Sequence, residues 1–148
     1  MRSFVVAMSL GTSLHMPARA GENLKLNPKL DYSSDSQDGP LITGDHMDEG
    51  PVAGKPTYVI IYSEGCFNSK RQARRTVSLY EKYSGRVQFV VIDLDRSLST
   101  AQQLLEKKYF RGYIPHVVVL DRSGAAVYNS SGEVDEAVIS GLLDKSLR

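Results

Sequence analysis

The sequence predicts an α/β fold with a central mixed sheet flanked by helices, on three observations. Two continuous runs of β-branched and aromatic residues, 57–62 and 87–94, are typical of strands buried on both faces of a sheet. Each run is followed by apolar residues at helical spacing. Two shorter strands, 117–120 and 125–128, flank a turn at 121–124 and predict a hairpin. With a last helix, the order from residue 55 onward is βαβαββα.

Start and stop signals place the three helices. The first is expected to start near Cys66 and to stop at Gly85. Ser99 and Gln102 form a capping box for the second, and Ser131 is the expected N-cap of the third. The apolar residues that define them are Ala73, Val77, Tyr80 and Tyr83, then Ala101, Leu104, Leu105 and Tyr109, and last Val134, Val138 and Leu142 on one face.

Length, charge and cysteine content exclude several classes of function. The 148 residues allow one domain with a tail, and the net charge of +1 gives no field for binding nucleic acid or an anionic membrane. No apolar run approaches the roughly 20 residues of a membrane span. The single cysteine, Cys66, excludes an internal disulfide, a dithiol pair and a zinc site of several thiolates. We therefore expect no metal and no cofactor.

The first 20 residues have the features of a signal peptide. Arg2 precedes a moderately apolar stretch, 4–14, and Ala18-Arg19-Ala20 fits the small-x-small pattern of a cleavage site. This predicts an exported protein, periplasmic or secreted. An organelle transit peptide or a disordered start fits the same composition.

Residues 21–54 are expected to form a flexible acidic linker that is dispensable for folding. They are rich in Gly, Pro, Ser, Asn and Asp and contain few large apolar residues. The acidic residues between 31 and 50, with His46 among them, are interpreted as a solvated spacer, and a weak cation site or an acidic partner-binding tail is the alternative. They are Asp31, Asp35, Asp38, Asp45, Asp48 and Glu49. The folded domain is expected at 55–148.

Cys66 is the first candidate for chemistry. It follows a buried strand at the start of a helix, where free N–H groups favour a thiolate. Four basic residues nearby, against Glu64 and Glu81, favour it further, although such a cluster is also typical of a solvated helix face. They are Lys70, Arg71, Arg74 and Arg75. The alternative is a buried cysteine that acts as a small hydrophobe.

A second element, Ile114-Pro115, precedes the hairpin. A proline at this position is an ordinary edge residue or forms a cis bond. The element order, a CxxS motif at 66–69 (Cys-Phe-Asn-Ser) and Tyr-Ile-Pro-His at 113–116 together resemble the thioredoxin family over residues 55–148. The resemblance implies a cis Pro115 packed against the nucleophilic sulfur of Cys66. It also implies that the backbone of Ile114 pairs with a substrate peptide.

The chain departs from the family pattern at several positions. Ser69 replaces the resolving cysteine, Gly65 the tryptophan before the motif, and Ile60 the buried acid of the preceding strand. Ser69 is either a hydrogen-bond donor to the Cys66 thiolate or a plain polar replacement. Phe67 is either an apolar contact for substrate or a packing residue. For His116, a structural role is favoured over that of a proton donor.

Two functions follow from these residues. The first is monothiol thiol-disulfide exchange, in which Cys66 forms a mixed disulfide that an external thiol resolves. Its partners would be protein or low-molecular-weight thiols and disulfides, and the protein would act as a monomer. The alternative is a redox-inactive module that binds a peptide or partner protein in the groove at Ile114-Pro115. An intermolecular disulfide through Cys66 is left open.

Overall fold

The computed structural model describes residues 20–37 and 39–148. The signal peptide expected at 1–20 lies outside the described residues, except for Ala20. In chain order the elements are β1 (Glu22–Leu26), β2 (Ile42–Asp45), β3 (Thr57–Tyr62), α1 (Phe67–Tyr83), β4 (Gln88–Asp93), α2 (Thr100–Tyr109), β5 (His116–Leu120), β6 (Ala126–Ser131) and α3 (Glu136–Ser146).

A four-stranded mixed sheet forms the centre of the fold, in the order β4-β3-β5-β6. Strand β3 pairs parallel with β4 and antiparallel with β5, and β5 pairs antiparallel with β6. The α/β class and the order βαβαββα from β3 onward are therefore confirmed. The capping box of Ser99 and Gln102 is also present at the start of α2.

Both faces of the sheet are covered, which explains the continuous apolar runs. Tyr58 and Ile60 point to a core shared with α1 and α3. Their neighbours Val59 and Ile61 point to a second core, to which α2 contributes Leu105 and Tyr109. Because successive side chains of a strand alternate between faces, every residue of β3 is buried.

The start of α3 differs from the prediction. Strand β6 extends to Ser131, which pairs with His116, so Ser131 is a strand residue and Asp135 is the N-cap. The buried positions of α3 are Ile139 and Leu143, whereas Val138 is 49% exposed. The strand is longer because pairing with β5 satisfies its backbone, a tertiary effect that local capping signals do not report.

The expectation of a flexible linker at 21–54 differs from the structure of its described residues. Strands β1 and β2 form an antiparallel hairpin, and Leu24, Leu41 and Ile42 belong to the core on the α1 side. Side chains far along the chain support its backbone: the Asn23 N–H donates to Tyr80 Oη (2.8 Å) and the Leu41 N–H to Tyr62 Oη (3.1 Å). The few apolar residues of the segment are enough to order it, because they are buried against the core of the domain.

This N-terminal segment also covers the edge of the sheet at β4. The Phe89 N–H donates to the carbonyl of Ala20 (3.3 Å), and the Val91 N–H donates to the carbonyl of Met47 (3.4 Å). A Cβ on Gly21 would lie 2.3 Å from the Phe89 carbonyl oxygen, so this close approach requires glycine. The segment therefore protects an otherwise unpaired strand edge.

Within the described ranges, the longest helices are too short or too polar to cross a bilayer.

Candidate functional site

Cys66 lies at the N-cap of α1, four residues after the end of β3. Its backbone is extended (φ −92°, ψ 119°), its side chain makes no capping hydrogen bond, and it is partly exposed. The preceding Gly65 has φ +81°, a left-handed conformation that favours glycine and turns the chain from the strand into the helix. The sulfur is thus attached to the first turn of a 17-residue helix at the carboxyl edge of the sheet.

Ser69 lies almost one turn further along α1 and is fully buried. Its hydroxyl has no hydrogen-bond partner among the described residues, so it does not donate to the Cys66 sulfur in this structure. A cysteine in place of Ser69 would lie on the buried side of the helix, three positions after Cys66.

Phe67 follows Cys66 and is only partly buried. The guanidinium of Arg71 lies 5.8 Å from the centre of its ring, within the range of a cation–π contact. An apolar ring next to the thiol is therefore available to a ligand, while one of its sides is in contact with a cation.

The basic residues of α1 are engaged away from the thiol. Lys70 is fully buried, and its Nζ donates to the carbonyls of Asp31, Ser34 and Ser36 at 2.6–2.8 Å. Arg71 and Arg75 both pair with Glu133, at 2.9 and 3.0 Å. The sequence predicted that four cations together would stabilise a Cys66 thiolate. The geometry does not support this, because three of the four bind carbonyl or carboxylate oxygens of other residues.

A carboxylate occupies the N-terminus of α1. Asp35 Oδ1 accepts a hydrogen bond of 2.9 Å from the N–H of Phe67, the residue directly after Cys66. The same stretch of chain touches the turn before the cysteine, since a Cβ on Gly65 would lie 3.0 Å from the Cβ of Gln37. Sequence reasoning missed this contact because Asp35 was assigned to a linker.

The register of β3 and β5 brings the second predicted element to the same end of the sheet. Ile61 pairs with His116, so the turn that follows β3 and the loop that precedes β5 are neighbours. The Ile114–Pro115 bond is cis, and Pro115 is buried with its carbonyl accepting from the Gly132 N–H (2.7 Å). Among the described residues, the backbone of Ile114 has no hydrogen-bond partner, and Tyr113 beside it is 75% exposed.

His116 has a structural position. It is buried, with Nδ1 2.9 Å from Ser131 Oγ and Nε2 2.6 Å from Asn129 Oδ1, both on β6. Because both ring nitrogens are occupied, the geometry favours the structural interpretation over the proton donor.

A buried acidic group at the same edge of the sheet was missed by sequence reasoning. Asp93 ends β4, and burial first, then the neighbouring Glu64, raises the pKa of Asp93 to about 7. Its Oδ1 accepts from the Asp95 N–H (2.9 Å), whereas the buried Oδ2 has no donor in the described part of the chain. Arg96 forms a two-bond contact with Glu64, with Nε 2.7 Å from Oε1. An acidic residue near the carboxyl end of each of two neighbouring parallel strands is the signal that would have predicted this group.

The acidic group borders a cavity of about 270 Å³. The cavity lies between β2, the end of β4 and the start of α2, and His46, Tyr62, Asp93 and Gln102 are among its walls. Within the described residues, no three His, Cys, Asp or Glu side chains are arranged to hold a metal ion.

Comparison with known proteins agrees with the fold. No family model matches the chain. A thiol:disulfide interchange protein TxlA homolog from Synechocystis is 32% identical over 80 residues, 54% of this chain and 43% of that relative. The match thus spans less than half the length of the relative.

Two solved structures share the architecture. A malarial protein has a TM-score of 0.52 at 17% identity, covering 64% of this chain and 99% of its own. Thioredoxin-2, a component of the protein secretion machinery of the malaria parasite, has a TM-score of 0.52 at 16% identity, covering 62% and 82%. At these identities the likeness shows the fold. The chain therefore has a thioredoxin-like fold, and the sequence match to an interchange protein agrees with the resemblance to the thioredoxin family.

Proposed function

We propose that this protein performs monothiol thiol-disulfide exchange with Cys66 as the nucleophile. The observation that carries the proposal is the partly exposed Cys66 side chain at the N-cap of α1, free of any capping hydrogen bond. The thioredoxin-like fold and the interchange function named for the Synechocystis relative support it. A helix N-terminus stabilises negative charge on a thiolate, the form that attacks disulfides.

The exchange is balanced without a cofactor. The Cys66 thiolate attacks one sulfur of a disulfide R–S–S–R′, a Cys66–S–R bond forms, and R′–S⁻ leaves and takes up a proton. Cys66 is thereby oxidised to the mixed-disulfide level and one substrate sulfur is reduced. Because Ser69 has no thiol, a second, external thiol must attack the mixed disulfide to release Cys66.

Three neighbouring residues are proposed to bind the substrate. Phe67 offers a partly exposed ring beside the sulfur. Ile114 has a backbone with no partner among the described residues, which suits an extended peptide, and the buried Pro115 adjoins that backbone at the end of the sheet where Cys66 lies. Ser69 is proposed to keep the position of the absent resolving thiol without reacting.

Trapping the mixed disulfide tests the proposal. Native protein is incubated with glutathione disulfide, quenched with acid and weighed by mass spectrometry, with Cys66→Ser as the blank. We expect one glutathione on the wild type, absent from the variant and removed by added thiol. A non-reducing gel distinguishes this adduct from a dimer of two chains joined through Cys66. Absence of an adduct, together with alkylation of Cys66 only after unfolding, would contradict the exchange function.

Two observations favour a second candidate, a redox-inactive peptide-binding module. Tyr113 is exposed, and the backbone of Ile114 has no partner in the part of the chain that the structure describes. In that case Cys66→Ser would leave peptide binding unchanged, and Tyr113→Ala would weaken it. If the protein performs exchange, covalent capture of a disulfide substrate must instead be lost in Cys66→Ser. The two candidates are thus separated by one pair of variants.

A further inference from the structure

Residues 31–37, called the strap below, cross the N-terminal end of α1 and are held there at two points. The buried ammonium of Lys70 binds three carbonyls of the strap, those of Asp31, Ser34 and Ser36. The carboxylate of Asp35 accepts from the Phe67 N–H. These contacts hold the strap at its first residue and at residues 34–36, next to the turn that contains the cysteine.

The Asp35 contact occupies the feature that would activate Cys66. The first free amides of a helix carry the positive end of its dipole and stabilise an anion close by. Here the amide that directly follows Cys66 already binds a carboxylate. That amide is therefore not free to bind an anion that forms on the neighbouring sulfur.

The other charged groups around the turn form no ion pair with Asp35 in the described part of the chain. Lys70 donates to strap carbonyls, and Arg71 pairs with Glu133. Glu64, before the turn, pairs with Arg96. At the start of β5, His116 has both ring nitrogens occupied by side chains of β6.

We propose that Asp35 is a positioning residue that holds Cys66 in a less reactive state, by occupying the Phe67 amide and by placing a carboxylate at the start of the helix that carries the cysteine. This inference rests on the proposed exchange function and adds a control element to it. The strap is an internal segment of the same chain, so the suppression is built into the fold. Displacement of Asp35 would release both the amide and the charge.

Substitutions that separate charge from shape test the role of Asp35. Asp35→Asn removes the charge and keeps an oxygen that accepts from Phe67, whereas Asp35→Glu keeps the charge. Asp48→Asn is the matched control, because Asp48 is an exposed acid elsewhere in the N-terminal segment. Each protein is alkylated with iodoacetamide, a neutral reagent that the carboxylate does not repel, across a range of pH and at low and high salt. Cys66→Ser is the blank.

We expect Asp35→Asn to react about two- to fivefold faster than wild type near neutral pH, the size of an exposed charge at a helix end. Its rate profile should move to lower pH, and its advantage should shrink in about 1 M salt, where charges are screened beyond about 3 Å. Asp35→Glu and Asp48→Asn should match wild type. Equal rates for Asp35→Asn and wild type, or an advantage that salt does not reduce, would overturn the proposal. If no variant reacts while folded, the exchange function itself fails, which is a different result.

Discussion

The Nζ of Lys70 donates a hydrogen bond of 2.6 Å to the carbonyl oxygen of Ser34, a residue 36 positions earlier in the chain. Lys70 lies on α1 next to the CxxS motif, so its charge was assigned to the cysteine. In the structure that charge is fully buried and is satisfied by carbonyl dipoles of the strap. The lysine therefore joins the N-terminal segment to the domain.

Replacement of Lys70 by Met should destabilise the protein. The apolar side chain leaves strap carbonyls without their donor, and a buried polar group without a partner costs about 1–3 kcal/mol. Chemical denaturation would measure the loss in the free energy of unfolding. Lys107→Met is the matched control, because Lys107 is an exposed residue of α2 and its replacement should change stability by less than about 0.5 kcal/mol. Equal stability of both variants would mean that the strap is not anchored by Lys70.

Leu41→Ala should show that the N-terminal hairpin belongs to the folded unit. Leu41 is fully buried in the core next to α1, and truncation of a buried leucine costs about 2–5 kcal/mol. Leu104→Ala, at a position 64% exposed on α2, is the control and should cost much less. Thermal melts of the two variants compare them directly. A flexible linker would instead predict no loss for Leu41→Ala.

Asp93 should make the protein less stable as the pH rises. Its pKa is raised to about 7 by burial and then by Glu64, whereas an aspartate in the unfolded chain titrates near 3.8. Between these values the folded state binds a proton that the unfolded state has released, so the free energy of unfolding falls as the pH increases. Below the lower value both states are protonated and the penalty is absent.

The variant Asp93→Asn should remove this dependence. Relative to wild type, it should gain about 1 kcal/mol or more between about pH 5 and about pH 8, since a tenfold change in a protonation equilibrium corresponds to about 1.4 kcal/mol. Melting temperatures across that range provide the measurement, with Glu81→Gln, at an exposed acid of α1, as the control for lost charge. Parallel pH profiles for wild type and Asp93→Asn would show that Asp93 titrates normally.

Ser69→Cys should convert the monothiol site into a self-resolving one. The serine hydroxyl is buried without a partner among the described residues, so a thiol of similar size replaces it without loss of a hydrogen bond. After reaction with glutathione disulfide, the variant should lose the glutathione and retain an internal disulfide between Cys66 and the introduced thiol, seen as a loss of two hydrogens in the mass. Wild type should retain the adduct.

The control for this experiment is Ser84→Cys, at the opposite end of α1. An exposed thiol there lies about 27 Å along the helix from Cys66, from the rise of 1.5 Å per residue. It should leave the Cys66 adduct unresolved within one chain. Persistence of the adduct in Ser69→Cys as well would indicate that the two side chains cannot approach each other.

Local patterns were sufficient for most elements of the central domain, and the start of α3 is the exception. The run 57–62 coincides with β3, and the Ser99 capping box marks the start of α2. These features depend on residues close in sequence, whose spacing reports burial and capping directly. The position of Cys66 at the start of α1 followed from the same kind of signal.

Local sequence patterns could not predict contacts between residues that are far apart in the sequence. Leu24 and Leu41 show no period, yet both are core residues because β1 and β2 pair with each other and pack on α1. The link from Asp35 to Phe67 spans 32 positions and depends on where the strap crosses the helix.

The sequence by itself determined the α/β class, the order of elements from β3 onward and the placement of a single thiol at a helix start. These features depend on the pattern of buried residues and on capping residues, both of which involve positions close in sequence. Only the tertiary structure decided which charged groups lie at the start of that helix. The Lys70 side chain binds the strap, and the Asp35 carboxylate binds the first amide of α1. A buried charged group such as Lys70 needs a polar partner, and in both contacts the partners lie more than 30 positions apart in the sequence.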